Sequence, residues 1–206
     1  MIFPRQILYG TELIKSYLTR FFENSEKINN RFYKTLRLNK NKKIIFTSKG
    51  RTALFIILKY LRIYKKKNEV IMSPFTIFDL VNIVISSGNK PIFVDHNKDS
   101  FEMDCKKIIN IIKKNKKISS IIITHYCFNS KNLLRLKSIC KKYDVKIIQD
   151  CAIAVSSKYK NTSIANLSEY SFFSFNLFKF VPALTGGAII TSDINLYNYA
   201  NNEQNK

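Results

Sequence analysis

The sequence predicts a three-layer α/β/α sandwich with a mostly parallel sheet. Two observations predict it. From residue 43 onward, short apolar runs alternate with longer stretches of helical periodicity, the pattern of a sheet covered by helices on both faces. The chain also has 206 residues and 46% apolar content, enough for one good-sized core.

Taken in order, residues 5–40 read as helix and connecting loop, with Leu13, Ile14, Tyr17, Leu18, Phe21 and Phe22 on one face. Strands are then expected at 43–47, 69–73, 91–95, 119–124 and 145–149, each a short apolar run. Helical stretches fill the gaps, at about 51–64, 77–86, 104–113 and 130–143. Two more strands are expected near 170–175 and 188–191, and Asp193 opens a last helix that runs to the end. The domain reading is an N-terminal helical segment over 1–42 and one α/β domain over 43–206.

The net charge of +21 invites a nucleic-acid partner, but its distribution argues against a dedicated one. The lysines fall in short groups at the polar ends of predicted helices: Lys65 with Lys66 and Lys67, Lys113-Lys114 with Lys116-Lys117, and Lys141-Lys142. The aromatics sit in apolar strands and not among the basic residues, as a stacking platform would need. A basic binding or scaffolding protein is the non-enzymatic alternative. The apolar run at 118–123 is too short to cross a membrane, so no membrane partner is expected. Met1-Ile-Phe-Pro-Arg-Gln6 lacks the pattern of a secretion signal, which points to the cytoplasm. Cys105, Cys127, Cys140 and Cys151 show no Cys-x-x-Cys spacing and read as reduced thiols. A zinc site from His125, Cys127, Cys140 and Cys151 can be drawn, but its spacing matches no common finger, so no metal is expected.

Lys179 is the only charged side chain between Glu169 and Asp193, in a stretch otherwise built for burial. Burial disfavours an ammonium and turns a lysine into a nucleophile toward carbonyls, unless its head snorkels to water. Ser48-Lys-Gly-Arg-Thr-Ala-Leu54 follows a strand and opens a helix. Gly50 would let the backbone approach closely, and the N–H groups of Arg51 and Thr52 would face an anion; an ordinary N-cap is the competing reading. Asp150 ends an apolar strand and needs a cationic partner or donors; a cap or salt bridge is the simpler reading. Ser174 precedes Lys179, and Gly186-Gly187 follow it. Together these residues supply an anion cradle, an acid for a ring nitrogen and a desolvated lysine, the parts that pyridoxal phosphate requires. No Gly-x-Gly-x-x-Gly, Walker loop or Gly-x-Ser-x-Gly is present.

The order of these stretches resembles the DegT/StrS-type nucleotide-sugar aminotransferases, a branch of the fold-type I pyridoxal-phosphate enzymes. The resemblance covers about residues 43 to 193. It rests on Ser48-Lys-Gly-Arg-Thr-Ala-Leu54, Ser73-Pro-Phe-Thr76 and Gly88-Asn-Lys-Pro-Ile-Phe-Val-Asp95. It continues in Ile147-Ile-Gln-Asp-Cys-Ala152 and Phe173-Ser-Phe-Asn-Leu-Phe-Lys179. It implies the large domain of such an enzyme, without the small domain that relatives carry further on. It also implies amino transfer from an amino acid, glutamate by preference, to a keto nucleotide-sugar. Lys179 would be the Schiff-base lysine and Asp150 the partner of the pyridine nitrogen. The Gly50-Arg51-Thr52 backbone and the Ser174 hydroxyl would hold the phosphate. Ile77 stands in the ring-stacking register with Phe78 beside it, and Ile153 stands where the family usually has glutamine. The implied partners are the two substrates and a second copy of the chain, or a complementing C-terminal chain. A cofactor-binding remnant without turnover is the other alternative.

Overall fold

A computed structural model describes residues 24–98, 102–125, 131–155, 157–176, 179 and 185–204. The expected helical face from Leu13 to Phe22 and the thiol of Cys127 lie outside the described residues. The described chain begins with α1 (Ser25–Leu36), β1 (Lys43–Thr47) and α2 (Gly50–Lys65). It continues through β2 (Glu69–Met72), α3 (Phe78–Ser86), β3 (Lys90–Phe93), α4 (Cys105–Lys114), β4 (Ile118–Thr124), α5 (Lys131–Lys142) and β5 (Lys146–Asp150). A small hairpin, β6 (Lys158–Tyr159) and β7 (Thr162–Ser163), precedes β8 (Tyr170–Ser174), β9 (Gly187–Thr191) and α6 (Ile194–Gln204).

The main sheet has seven strands in the order β1-β9-β8-β5-β4-β2-β3. From β3 to β8 every pairing is parallel, and β9 alone runs against both of its neighbours. Parallel strands covered on both faces read as continuous apolar runs, and all four residues of β2 and all five of β9 are buried. Side-chain alternation divides the core. Val70, Met72, Ile122, Ile148 and Phe172 face α2, α3 and α6. On the opposite face Ile71, Ile121 and Ile147 meet α4 and α5, while Ile44, Phe173 and Ile190 meet Leu36 and Phe32 of α1.

Two boundaries matter for the site. The fifth strand runs one residue further than expected and ends on Asp150, so the carboxylate belongs to the ladder. The third strand ends at Phe93, before Asp95. The β6–β7 hairpin had no counterpart in the sequence reading, because strands of two residues are too short to leave a periodic signal.

Helix starts differ in their chemistry. Asn24 caps α1 and Asp104 caps α4 through side-chain acceptors, and Asp193 does the same for α6. The N-caps of α2 and α3, Lys49 and Ile77, make no side-chain cap hydrogen bond. Both helices begin at the carboxyl edge of the sheet. Cys105, Cys140 and Cys151 are buried free thiols, and burial pushes the Cys140 thiol up to about 12. Among the described residues no helix is long and apolar enough to cross a membrane.

Candidate functional site

The carboxyl ends of β1, β8, β5 and β4 bring separate stretches of sequence together. At the first of them, Gly50 opens α2 directly against β8: a Cβ there would lie 2.7 Å from the Ser174 Cβ. Gly187 passes closer still to the same turn, since a Cβ on it would meet the Lys49 carbonyl carbon at 2.4 Å. Thr185 Oγ1 donates to the Ser48 carbonyl at 2.7 Å, and Gly186, at φ +154°, bridges to Lys49. This tight backbone layer leaves the first N–H groups of α2 without a side-chain acceptor, a geometry suited to an anion. The Ser48 and Thr52 hydroxyls lie beside it, 3.2 Å apart.

Asp150 lies at the end of β5 and is only 4% exposed. Its Oδ1 accepts from the Ala152 N–H at 3.0 Å, and its Oδ2 accepts from Thr124 Oγ1 at 3.2 Å across the β4–β5 register. Burial pushes this carboxyl above the usual carboxylate range; the two hydrogen bonds and the nearby Lys179 ammonium pull it down only in part. Lys179 is half-buried, and its N–H turns back to the Asn176 carbonyl at 2.9 Å. A buried carboxylate, with an amine near enough to act on it, therefore lies beyond the strand ends, beside an open helix start. Ligands of open α/β sheets bind in that position.

A model of the DegT/DnrJ/EryC1/StrS aminotransferase family matches residues 9–205. The chain belongs to this family. Among its relatives, GDP-perosamine synthase of Escherichia coli O157:H7 is 31% identical over 150 residues, covering 73% of this chain and 40% of that protein. UDP-4-amino-4,6-dideoxy-N-acetyl-beta-L-altrosamine transaminase of Helicobacter pylori is 25% identical over 156 residues, 75% of this chain and 40% of its own. The PLP-form structure of Spr1654 from Streptococcus pneumoniae shares the fold at a TM-score of 0.78 with 19% identity. The match covers 97% of this chain and 57% of that one. The chain thus spans 40% of the length of both named relatives and little more than half of the solved one.

Against the family pattern, the structure brings Gly50, Thr52, Asp150, Ser174 and Lys179 to one edge of the sheet. Arg51 is there too, but its guanidinium turns aside to pair with Asp79 at 2.6 Å, leaving its backbone to the helix start. Ile77, the N-cap of α3, and Phe78, its first residue, are 57% and 75% exposed. The held ring of the loop before them is Phe75, edge-on to His96 at 5.9 Å, with Ser73 Oγ bonded to both the Phe75 N–H and His96 Nε2. Sequence reasoning left Lys179 either desolvated or with its head reaching water, and it is half-buried. The lysine that burial dominates is Lys42, pushed down to about 8. Ile153 is half-buried three residues after Asp150.

Several residues at this edge escaped the sequence reading. Thr124 matters only through the parallel register that sets it opposite Asp150. On the other face of the same strands Gln149 Oε1 lies 2.6 Å from Nε2 of His125, which the sequence reading had drawn only into a zinc site, and burial holds the His125 pKa below its ordinary value. A polar residue inside an apolar strand, such as Gln149, was the one available signal.

Proposed function

We propose that this chain is the cofactor-binding domain of a pyridoxal-phosphate-dependent aminotransferase. In this reading it moves an amino group from an amino acid, glutamate by preference, to a keto group on a nucleotide-linked sugar. The convergence of Asp150 and Lys179 beside the uncapped start of α2 carries the reading. The family membership and the nucleotide sugars named for the relatives support the substrate class.

The residues fit the cofactor. The open first turn of α2 suits a phosphate, and a buried carboxylate whose ionisation burial opposes suits a cationic ring nitrogen. When bound, pyridoxal phosphate supplies an electron-withdrawing ring that stabilises negative charge on the substrate carbon. Asp150 holds a proton on the ring nitrogen by offering it a desolvated negative partner. Thr124 and the Ala152 N–H keep that carboxylate aimed. The N–H groups of Gly50, Arg51 and Thr52, with the Ser174 hydroxyl, hold the phosphate. Lys179 would hold the cofactor through its amine and would take and return a proton at the substrate carbon. Ile77 or Phe78 covers one ring face. The remaining partner is a second copy of the chain, across whose interface substrate would be gripped, or a complementing C-terminal chain.

A second reading, cofactor binding without turnover by this chain alone, is favoured by Ile153. Its side chain offers no hydrogen bond where the family pattern has glutamine. One experiment tests the cofactor site: the absorption spectrum of the protein with pyridoxal phosphate, before and after borohydride, with Lys179→Ala alongside. A band that borohydride fixes on Lys179, and that the variant lacks, is expected. A band equally strong in the variant, or none in either protein, would overturn the proposal. Amino transfer to a keto nucleotide-sugar then separates the two readings.

A further inference from the structure

The strands β1, β2, β3 and β4 are each followed by a helix that runs back, so the helix ends and the next strand starts collect at one edge. Groups of lysine that are far apart in sequence therefore become neighbours. Arg62, Lys65, Lys66 and Lys67 close α2, and Lys113, Lys114, Lys116 and Lys117 close α4. Lys141 and Lys142 close α5, and Lys90 and Lys146 begin β3 and β5.

Direct contacts tie these groups into one surface. A Cβ on Gly88 would lie 2.0 Å from the Arg62 guanidinium, so α2 ends against the α3–β3 turn. The Glu69 N–H donates to the Lys117 carbonyl at 3.1 Å. Lys65 Nζ reaches Asp144 at 2.8 Å, and Lys67 Nζ reaches the Tyr143 and Asp144 carbonyls at 3.3 Å. Lys146 Nζ pairs with Glu169 at 2.9 Å. The starts of β3, β2, β4, β5 and β8 are thereby spanned, a width of about 20 Å at the usual strand spacing. The acidic residues at this edge are already engaged: Glu69 by Asn115, Asp144 by Lys65, Glu169 by Lys146, and Asp193 by two tyrosine hydroxyls. Most of the lysines are exposed.

We propose that this amino-terminal edge is a docking face for an anionic lipid bilayer. Lysine at helix C-termini favours the helix dipole wherever it occurs. Here the parallel topology adds those separate contributions into a single positive face. The basic residues are almost all lysine, which gives charge without the forked geometry suited to gripping phosphodiesters in register. They cover a two-dimensional face, as attraction to a charged surface requires. Ile63 and Tyr64, 53% and 59% exposed on the last turn of α2, lie beside them as residues suited to the headgroup layer. Such attachment needs no spanning helix. It would leave the opposite edge, with Asp150 and Lys179, facing away from the bilayer.

The test is sedimentation of the full chain with phosphatidylcholine vesicles, with and without phosphatidylserine. Binding only to the anionic vesicles, weakened by added salt, is expected. The triple variant K113E/K116E/K141E should lower that binding by roughly a hundredfold. The variant K27E/K98E/K106E makes the same change in net charge away from this edge and should bind within a few-fold of the native chain. All six side chains are exposed, so both variants should keep the native thermal transition. Equal binding to neutral vesicles, or equal loss in the two variants, would overturn the proposal. So would displacement from the vesicles by a short nucleic-acid duplex at the same ionic strength.

Discussion

Gly50 and Ser174 stand so close that a Cβ at position 50 would lie 2.7 Å from the Ser174 Cβ, with the Phe173 carbonyl oxygen at 3.0 Å. The first turn of α2 rests on the end of β8 with no side chain between them. Gly50→Ala must push these elements apart, and overpacking of this kind costs about 1–3 kcal/mol. Ser174→Gly removes one of the clashing groups, so the double variant should regain part of the loss. Urea midpoints for the three proteins measure this, and pyridoxal phosphate titration should show weaker binding in Gly50→Ala. Unchanged stability in Gly50→Ala would contradict the close approach.

Asp150→Asn keeps the shape of the buried group and its bond from the Ala152 N–H while removing the charge. Its folded pKa is raised above the ordinary 3.8, so the native chain holds this proton to higher pH than the unfolded chain does. The stabilisation from that proton is present below 3.8 and is lost as pH rises through the folded value. At neutral pH the variant should therefore be at least as stable as the native chain while binding pyridoxal phosphate much more weakly. Chemical unfolding beside cofactor titration checks the opposed signs; a parallel fall in both would make Asp150 a structural residue.

The sheet was legible because its strands are buried on both faces: β2 and β9 are apolar runs whose ends are marked by polar residues. Gly50, Asp150 and Lys179 were legible because each breaks a local rule: a glycine at a helix start, a charge on an apolar strand, a lysine in a buried stretch; the role of Ser174 came only through the family resemblance. Pairings that depend on register were not. Thr124 meets Asp150, and His125 meets Gln149, only through the alignment of β4 with β5. The same limit hid the basic edge, since adjacency of Lys67 to Asp144 or Lys117 to Glu69 is a product of topology. Local composition is also a poor guide to burial: Lys42, flanked by polar residues, is 3% exposed, while Lys179 in its apolar stretch is half-buried.

Asp193 joins three elements. Its Oδ2 accepts from Tyr60 of α2 at 2.9 Å and Tyr170 of β8 at 2.7 Å, and its Oδ1 accepts from the Asn195 and Leu196 N–H groups at the start of α6. Partial burial alone would raise its pKa, but these four bonds outweigh it and hold the carboxyl below the ordinary 3.8. The stability it contributes is present above pH 3.8 and lost as pH falls through the lower folded value. Asp193→Ala leaves two tyrosine hydroxyls and a helix start without their acceptor, and should cost about 2–4 kcal/mol. Denaturant unfolding at neutral pH reads this directly, and amide exchange in α6 should quicken first. A loss confined to a few tenths of a kcal/mol would mean that water replaces the carboxylate at no penalty.

Lys42 gives a pH signature of the same sign in a higher window. Its side chain is buried against the Ser168 carbonyl, and burial lowers its pKa from 10.5 to about 8 despite the attraction of Glu169. Between those values the unfolded chain carries a proton that the folded chain has released, so native stability rises with pH across that window. Below pH 8 the buried ammonium imposes its full penalty, about 3 kcal/mol. Tyr60 and Tyr170 complicate the upper end, because burial raises both phenols and their stabilisation is lost in alkali. Lys42→Met leaves those tyrosines in place, so the difference between the two proteins isolates the lysine. The rise in native stability from pH 8 to pH 10.5 should be missing in the variant when both are unfolded by urea along a pH series. Parallel curves would mean that the Lys42 ammonium reaches water in the folded protein, and that its contact with Ser168 does not enclose it.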